Sequence, residues 1–236
     1  MREPVVFLPA MMCDARLFGP LIADLSRDHA VMTAPITHGE RIEEIASGLL
    51  DVLPKRFALA GLGMGGIVAL EVIRRAPDRV SRLALMDTTP LADTPQQAAA
   101  RDPLIIRART GKLSEVMAEE IKQSDLAMSP HRTEILALVA DMAQGLGSDC
   151  YVRQARAMQR RRDQQTTLRK IAVPTQIICG VQDVIWPLKR HTFLAELIPG
   201  ATLSVIDDAG HLPPLEQPEQ VVEVLREWLR QPLVLR

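Results

Sequence analysis

No run of 18 consecutive apolar residues occurs in the 236-residue chain, so the sequence offers no membrane span. Aromatic residues are only 3% of the total, too few to build base-stacking platforms. An excess of one charge is missing too: charged residues are 24% and the net charge is −1. Neither nucleic acid nor an anionic lipid surface is therefore an expected partner. The three cysteines (Cys13, Cys150 and Cys179) are odd in number and far apart, with no CxxC pair. That pattern gives neither a disulfide framework nor a metal knuckle, and it fits a reducing compartment. Arg2-Glu3-Pro4 and a strand-like run too short for a signal core follow Met1, so a soluble cytoplasmic protein is expected. What the chain does have is 47% hydrophobic residues, enough for one sizeable core with room for a subdomain.

Those apolar residues alternate between two periodicities. Pro4 to Leu8, Ala30 to Thr33, Phe57 to Ala60 and Arg82 to Met86 read as short buried strands. Helical spacing separates them, over Arg16 to Leu25, over Arg41 to Leu53, and from the glycine-rich turn at Gly61 to about Arg75. After Asp87-Thr88-Thr89-Pro90 the alternation stops. From Leu91 to Ile171 only helical patches are evident, including Leu113 to Ile121 and Thr133 to Met142, with Ser129-Pro130 and Gly145-Leu146-Gly147 as breaks. Strands resume at Thr175 to Cys179 and Thr202 to Ile206, with helices over Leu188 to Leu197 and Val221 to Leu229. Strands alternating with helices predict an α/β fold, a mostly parallel sheet of about six strands with helices on both faces. Residues 1–90 and 172–236 then form the core. Residues 91–171 form a helical cap inserted after the fourth strand, about 80 residues where ordinary connections have 2–6. It follows the carboxyl end of a strand, where ligands bind in such sheets.

The turn between the third strand and its helix carries the chemical signal. Gly61-Leu62-Gly63-Met64-Gly65 has the form of the nucleophile elbow, G-x-S-x-G, with glycine in place of serine. The outer glycines let strand and helix approach, whereas the central position exists to carry a nucleophilic oxygen or sulfur. Gly61, Gly63 and Gly66 also spell the dinucleotide fingerprint G-x-G-x-x-G, with Asp87 about 20 residues further on. That fingerprint belongs to a domain's first strand, and here two strand–helix units come first.

An elbow requires an acid and then a histidine further along the chain. Asp183 follows the Thr175 strand in Gly180-Val181-Gln182-Asp183, and His211 follows the Thr202 strand in Asp208-Ala209-Gly210-His211. Both therefore leave the same sheet edge as the elbow. In that arrangement His211 exchanges a proton with the nucleophile and leaving group, and Asp183 orients the imidazole and stabilises the imidazolium. The dinucleotide reading explains neither residue. Asp87 is a second candidate acid; with Asp183 so placed it reads as a turn cap or pocket-edge residue. His38 reads as an exposed loop histidine, Cys13 as a small buried residue, and Arg160-Arg161-Arg162 as a solvated helix face.

The segments LPAMMCD, GLGMGG, LALMDTTP, CGVQDVIWP and AGHLPPLEQPEQV together resemble the α/β-hydrolase family, specifically its small bacterial esterase-like members. The resemblance spans nearly the whole chain. It implies that the family's first two strands are absent, and with them the antiparallel edge. It implies an oxyanion hole from the backbone N–H groups of Met11 and Met64, though Pro9-Ala10 replaces the usual His-Gly of the first loop. It implies hydrolysis of a carboxylic ester or related acyl bond of a small-molecule substrate, with lactone, amide and carbon–carbon cleavage open to the same fold. Met12 and Trp186 are candidate pocket residues. No metal or organic cofactor is implied, since a Ser-Asp-His mechanism needs none and no ligand cluster is evident. Oligomeric state is left open.

Gly63 has no side chain, so covalent catalysis from this position is impossible. Two explanations fit. Either a serine has been replaced, leaving a hydrolase without its nucleophile, or the chain is a natural non-catalytic relative that binds a ligand. The retained Asp183 and His211 favour the first, because a protein freed from catalysis needs no acid and imidazole at these positions.

Overall fold

The computed structural model describes residues 3–233. Its six strands are β1 (Val5–Leu8), β2 (Val31–Thr33), β3 (Phe57–Leu62), β4 (Val80–Met86), β5 (Thr175–Gly180) and β6 (Thr202–Ile206). They form one sheet in the order β2-β1-β3-β4-β5-β6, and every pairing is parallel. Strands β1, β3, β4 and β5 are buried throughout, which is why VVFL and FALAGL read as continuous apolar runs rather than alternating ones. The edge strands β2 and β6 are partly exposed.

Helices α1 (Gly19–Leu25) and α10 (Pro218–Arg230) cover one face. Helices α2 (Ile42–Val52), α3 (Met64–Arg75) and α8 (Leu188–Leu197) cover the other. Val221, Leu225 and Trp228 of α10 recur at helical spacing and are all buried, and the Trp228 indole N–H donates to the Pro174 carbonyl at 3.3 Å. The chain passes from β1 to β2 on one side of the sheet and then to β3 on the other. The carboxyl ends of β1 and β3 therefore flank a topological switch point, the crevice where open α/β sheets take ligands.

Between β4 and β5 lie four helices: α4 (Pro95–Arg109), α5 (Leu113–Glu120), α6 (Arg132–Gln159) and α7 (Gln165–Leu168). The ends of this insertion meet. Gln164 N–H donates to the Pro90 carbonyl at 2.8 Å, Arg161 Nε to the Leu91 carbonyl at 2.9 Å, and Arg161 pairs with Asp93 at 2.7 Å. Asp93 also takes Arg101 Nε at 3.0 Å. Arg161 is thus 5% exposed and paired, which overturns the solvated face expected of Arg160-Arg161-Arg162. Its neighbours Arg160 and Arg162 pair with Glu40 and Glu43 of the core.

Two helical segments differ from the sequence reading. The segment from Arg16 opens as a 3-10 turn, Ala15–Phe18, capped by Asp14, and α1 begins only at Gly19, where Pro20 supplies a first-turn residue that lacks an N–H. Helix α4 has no apolar stripe and contains Pro103, so it left no periodic signal. The break expected at Gly145-Leu146-Gly147 is present inside α6: Gly147 adopts φ 79°, ψ 169°, outside the helical region, and two helical stretches meet there at a kink.

Glu71 on α3, 1% exposed, accepts hydrogen bonds from Arg74, Arg75 and, across to the insertion, Gln164 Nε2 at 2.9 Å. Burial works to raise its pKa, but these donors prevail and bring it from 4.5 to about 2. A depressed carboxyl contributes stability above its unfolded pKa and loses it as pH falls through the folded one. Urea denaturation should therefore show Glu71→Gln less stable than wild type at neutral pH, with the deficit vanishing on acidification from 4.5 to about 2. A second test separates two glycines. A Cβ on Gly65 would stand 2.1 Å from the Leu8 carbonyl oxygen, whereas one on exposed, mid-helical Gly48 would meet nothing within 4 Å. Gly65→Ala should cost about 3 kcal/mol of unfolding free energy, and Gly48→Ala should add about 0.5–1 kcal/mol.

Candidate active site

Gly63 sits between β3 and α3 with φ 55° and ψ −118°, a backbone state that L-residues rarely adopt. Its N–H donates to the Met86 carbonyl at 3.0 Å, and its carbonyl accepts from Thr88 Oγ1 at 2.6 Å. The flanking glycines are sterically required: a Cβ on Gly61 would meet the Gly65 carbonyl at 2.4 Å, and one on Gly66 would meet Thr88 at 2.7 Å. At Gly63, by contrast, there is space. A Cβ there would lie 3.5 Å from the Ala10 Cβ and 3.8 Å from His211 Nε2. One bond further out, a serine Oγ would be within hydrogen-bond reach of that nitrogen. Close packing thus accounts for Gly61 and Gly66, two of the three glycines that spelled a dinucleotide fingerprint.

The acid and the histidine arrive on two loops pressed backbone to backbone. A Cβ on Gly180 would stand 2.0 Å from the Gly210 carbonyl oxygen, and Gln182 N–H donates to the Ala209 carbonyl at 2.9 Å. His211 Nδ1 donates to Asp183 Oδ2 at 3.0 Å, leaving Nε2 facing Gly63. Asp183 Oδ1 accepts the backbone N–H groups of Ile185 at 2.8 Å and Trp186 at 3.0 Å. Burial alone would raise the Asp183 pKa, but the hydrogen bond and charge of His211, with the Trp186 N–H, hold it below the ordinary carboxylate range. Both side chains are buried.

Two positioning elements escaped the sequence. Glu216 in α9 (Pro213–Glu216) accepts from the N–H groups on either side of His211, Gly210 at 2.9 Å and Leu212 at 2.8 Å, and from Ala127 of the insertion at 2.6 Å. The insertion also supplies the Asp125 carbonyl that accepts the His211 N–H at 2.8 Å. Glu216 lay inside a quoted motif, where a glutamate on a short proline-led turn reads as surface. Asp125 acts through its backbone, which sequence does not label.

A cavity of about 100 Å³ joins these groups. Gly63, Met64, His211, Met11, Met12 and Trp186 all line it, so the structure brings together every one of these sequence candidates; Asp183 stands behind His211. Met64 opens α3, and among the described residues neither its N–H nor that of Met11 donates a hydrogen bond. Met12 has φ 56°, and Gln154 of α6, itself fully buried, holds its N–H at 2.8 Å. The insertion adds Arg101, Met117, Glu120, Ile121, Tyr151 and Met158 to the wall. Tyr151 donates to Glu120 Oε1 at 2.6 Å; burial, then the charge of Glu120, push its phenol pKa upward. Five of the chain's ten methionines face this one space. Their flexible thioethers gave no periodic pattern that would have revealed the convergence. His38 is exposed and Cys13 is buried, and neither lines the cavity.

Asp87 differs from its expected place. It is fully buried, not at a pocket edge, and accepts the Gly180 N–H on Oδ1 at 3.1 Å. Ligand atoms of Asp87, Asp183 and His211 lie within 4.8 Å of one another, the one such cluster of potential metal ligands among the described residues. The His211 and Asp183 atoms are already committed to each other and to backbone donors.

Residues 5–224 match the profile of the alpha/beta hydrolase family, and the chain belongs to that family. It is similar to the pimeloyl-acyl-carrier-protein methyl ester esterase of Aromatoleum aromaticum, at 29% identity over 211 residues covering 81% of each chain. Among solved structures it resembles a thermophilic esterase from Thermogutta terrifontis, with 28% identity and a TM-score of 0.88, over 97% of this chain and 89% of that one. The fold is shared with the enol-lactonase of Burkholderia xenovorans LB400, at 23% identity and a TM-score of 0.85, over 98% and 92% of the two chains. No helix among the described residues is long and apolar enough to cross a membrane.

Glu216→Ala should orphan three N–H groups and cost about 2 kcal/mol of stability in urea denaturation. The Gly210 and Leu212 amides should exchange hydrogen faster than those of β5, since their shared acceptor is gone.

Proposed function

We propose that this chain is the scaffold of a carboxylic ester hydrolase working through a nucleophile–Asp–His relay, with the nucleophile lost at Gly63. The observation that carries the reading is the state of position 63. Its backbone keeps the strained turn of a nucleophile elbow, and a Cβ there points to within 3.8 Å of His211 Nε2. In the serine form, His211 takes the hydroxyl proton as oxygen attacks the ester carbonyl, then returns a proton to the leaving alcohol. Asp183 holds the Nδ1–H tautomer and stabilises the imidazolium. The Met11 and Met64 N–H groups receive the oxyanion; one such donor contributes about 3–4 kcal/mol to the transition state. Water attack assisted by His211 then frees the acid. Without the serine oxygen no acyl-enzyme forms, and what remains is direct water attack, about 10³–10⁴-fold over the uncatalysed rate.

Residues 91–171 act as a cap that closes the site. The esterases among its relatives support an ester substrate, and the cavity of about 100 Å³ suits a short acyl group. Three buried free thiols fit the reducing cytoplasm as its location. The fold also accommodates lactone, amide or carbon–carbon hydrolysis, and a ligand-binding role without catalysis is the competing reading of Gly63.

Gly63→Ser decides between them. p-Nitrophenyl esters should turn over in this variant, acetate and butyrate faster than octanoate, and adding His211→Ala to it should lower kcat by about 10⁴-fold or more. No turnover of any ester or lactone by Gly63→Ser would favour the ligand-binding protein.

A further inference from the structure

Two carboxyl groups, Asp87 and Asp183, are buried side by side beneath His211. Their surroundings are unequal. Asp183 receives three hydrogen bonds, from His211 Nδ1 and from the Ile185 and Trp186 N–H groups. Asp87 receives one, from Gly180, and its Oδ2 is buried with no donor facing it. Asp87 also adopts a left-handed backbone conformation, φ 37°, uncommon for a residue with a side chain. A carboxylate oxygen sealed from water without a donor is costly, and the second negative charge of Asp183 close by makes it more so. The conflict resolves if one oxygen is not a bare acceptor.

We propose that Asp87 is a neutral carboxylic acid whose Oδ2–H donates to the Asp183 carboxylate, a positioning residue that supplies the acid of the His–Asp pair with a further hydrogen bond. The two carboxyls then share one proton and one negative charge. That charge sits on Asp183, opposite the imidazole, and Asp87 holds its carboxylate from behind. This deepens the reading of the site as a proton relay and rests on it for its purpose, though not for its existence.

The neighbours of Asp87 agree. Burial first, then the charge of Asp183, raise the Asp87 pKa well above 3.8, the more distant Glu216 adds to the rise, and the Gly180 N–H opposes it. On β5, Cys179 is a buried thiol, pushed up to about 12 chiefly by burial. On α8, His191 is fully buried and accepts the Thr88 N–H on Nε2 at 3.1 Å, so that nitrogen carries no proton; burial lowers its pKa to about 4.

Two measurements on the chain as it stands test this without any need for turnover. The first is NMR of protein labelled at the aspartate Cγ, the Asp87 resonance being assigned by its loss in Asp87→Asn, or in Asp87→Ser should the first not fold. At neutral pH it should have the shift of a protonated carboxyl while exposed aspartates have that of carboxylates. A carboxylate shift at neutral pH would overturn the proposal. The second is stability against pH. A raised acid contributes most below its unfolded pKa of 3.8 and loses that contribution as pH rises. The folding constant of the variant should therefore gain on wild type about tenfold per pH unit above that value, until Asp87 itself ionises. A pH-independent ratio would equally overturn it. Failure of Gly63→Ser to hydrolyse esters would leave both results intact, so the two readings fail separately.

Discussion

The site depends on how closely three backbone segments approach one another at the start of α3. The end of β1, the turn after β3 and the segment after β4 converge there, and only residues without a Cβ allow it: the Leu8 carbonyl occupies the place of a Cβ at Gly65, and Thr88 that of one at Gly66. This contact sets the strained angles of Gly63 and brings Ala10 within van der Waals reach of it. The same device recurs at Gly180 and Gly210, where the acid loop lies against the histidine loop. The facing of His211 toward position 63 is thus a property of backbone packing, which a side-chain change at 63 itself leaves alone.

Around this frame, buried charge is neutralised locally. Glu71 is matched by Arg74 and Arg75, Asp93 by Arg101 and Arg161, and Asp183 by backbone dipoles and the imidazole. Glu216 uses its carboxylate as a common acceptor for three backbone donors, joining the insertion to the histidine loop. Gln154 does the same for the loop after β1, with one amide spanning Met12 N–H and the Ile36 carbonyl. The insertion therefore shapes the site through backbone and amide contacts as well as through the side chains of the cavity wall.

How much of this was legible follows from what each residue contributes. Strands buried on both faces announce themselves as apolar runs, as β1, β3, β4 and β5 do, and the partly exposed edge strands β2 and β6 were visible as well. Asp183 and His211 were visible because each directly follows a strand, so chain order alone put them on the elbow's edge. Helix α4 was not, since without an apolar stripe its stability comes from a Thr94 capping box and packing against α6. Arg161 looked like surface because burial of a cation depends on a partner, Asp93, distant in sequence. Asp87 looked like a turn residue for a similar reason: its burial comes from β5 and the loop beyond it. Long-range pairing of polar groups has no periodicity for sequence to display.

The closed base of the insertion also bears on how the sheet assembles. β4 and β5 are neighbours in the sheet, yet residues 87–174 separate them. Once Asp93 and Arg161 have met, the free chain between the two strands shrinks to the short arms on either side of that contact. By the logarithmic dependence of closure entropy on loop length, pairing the strands then costs about 1 kcal/mol less than across an open loop. An insertion that folds early would thus turn the longest-range pairing in the sheet into a local one, and bring β5, with its acid, into register beside the elbow.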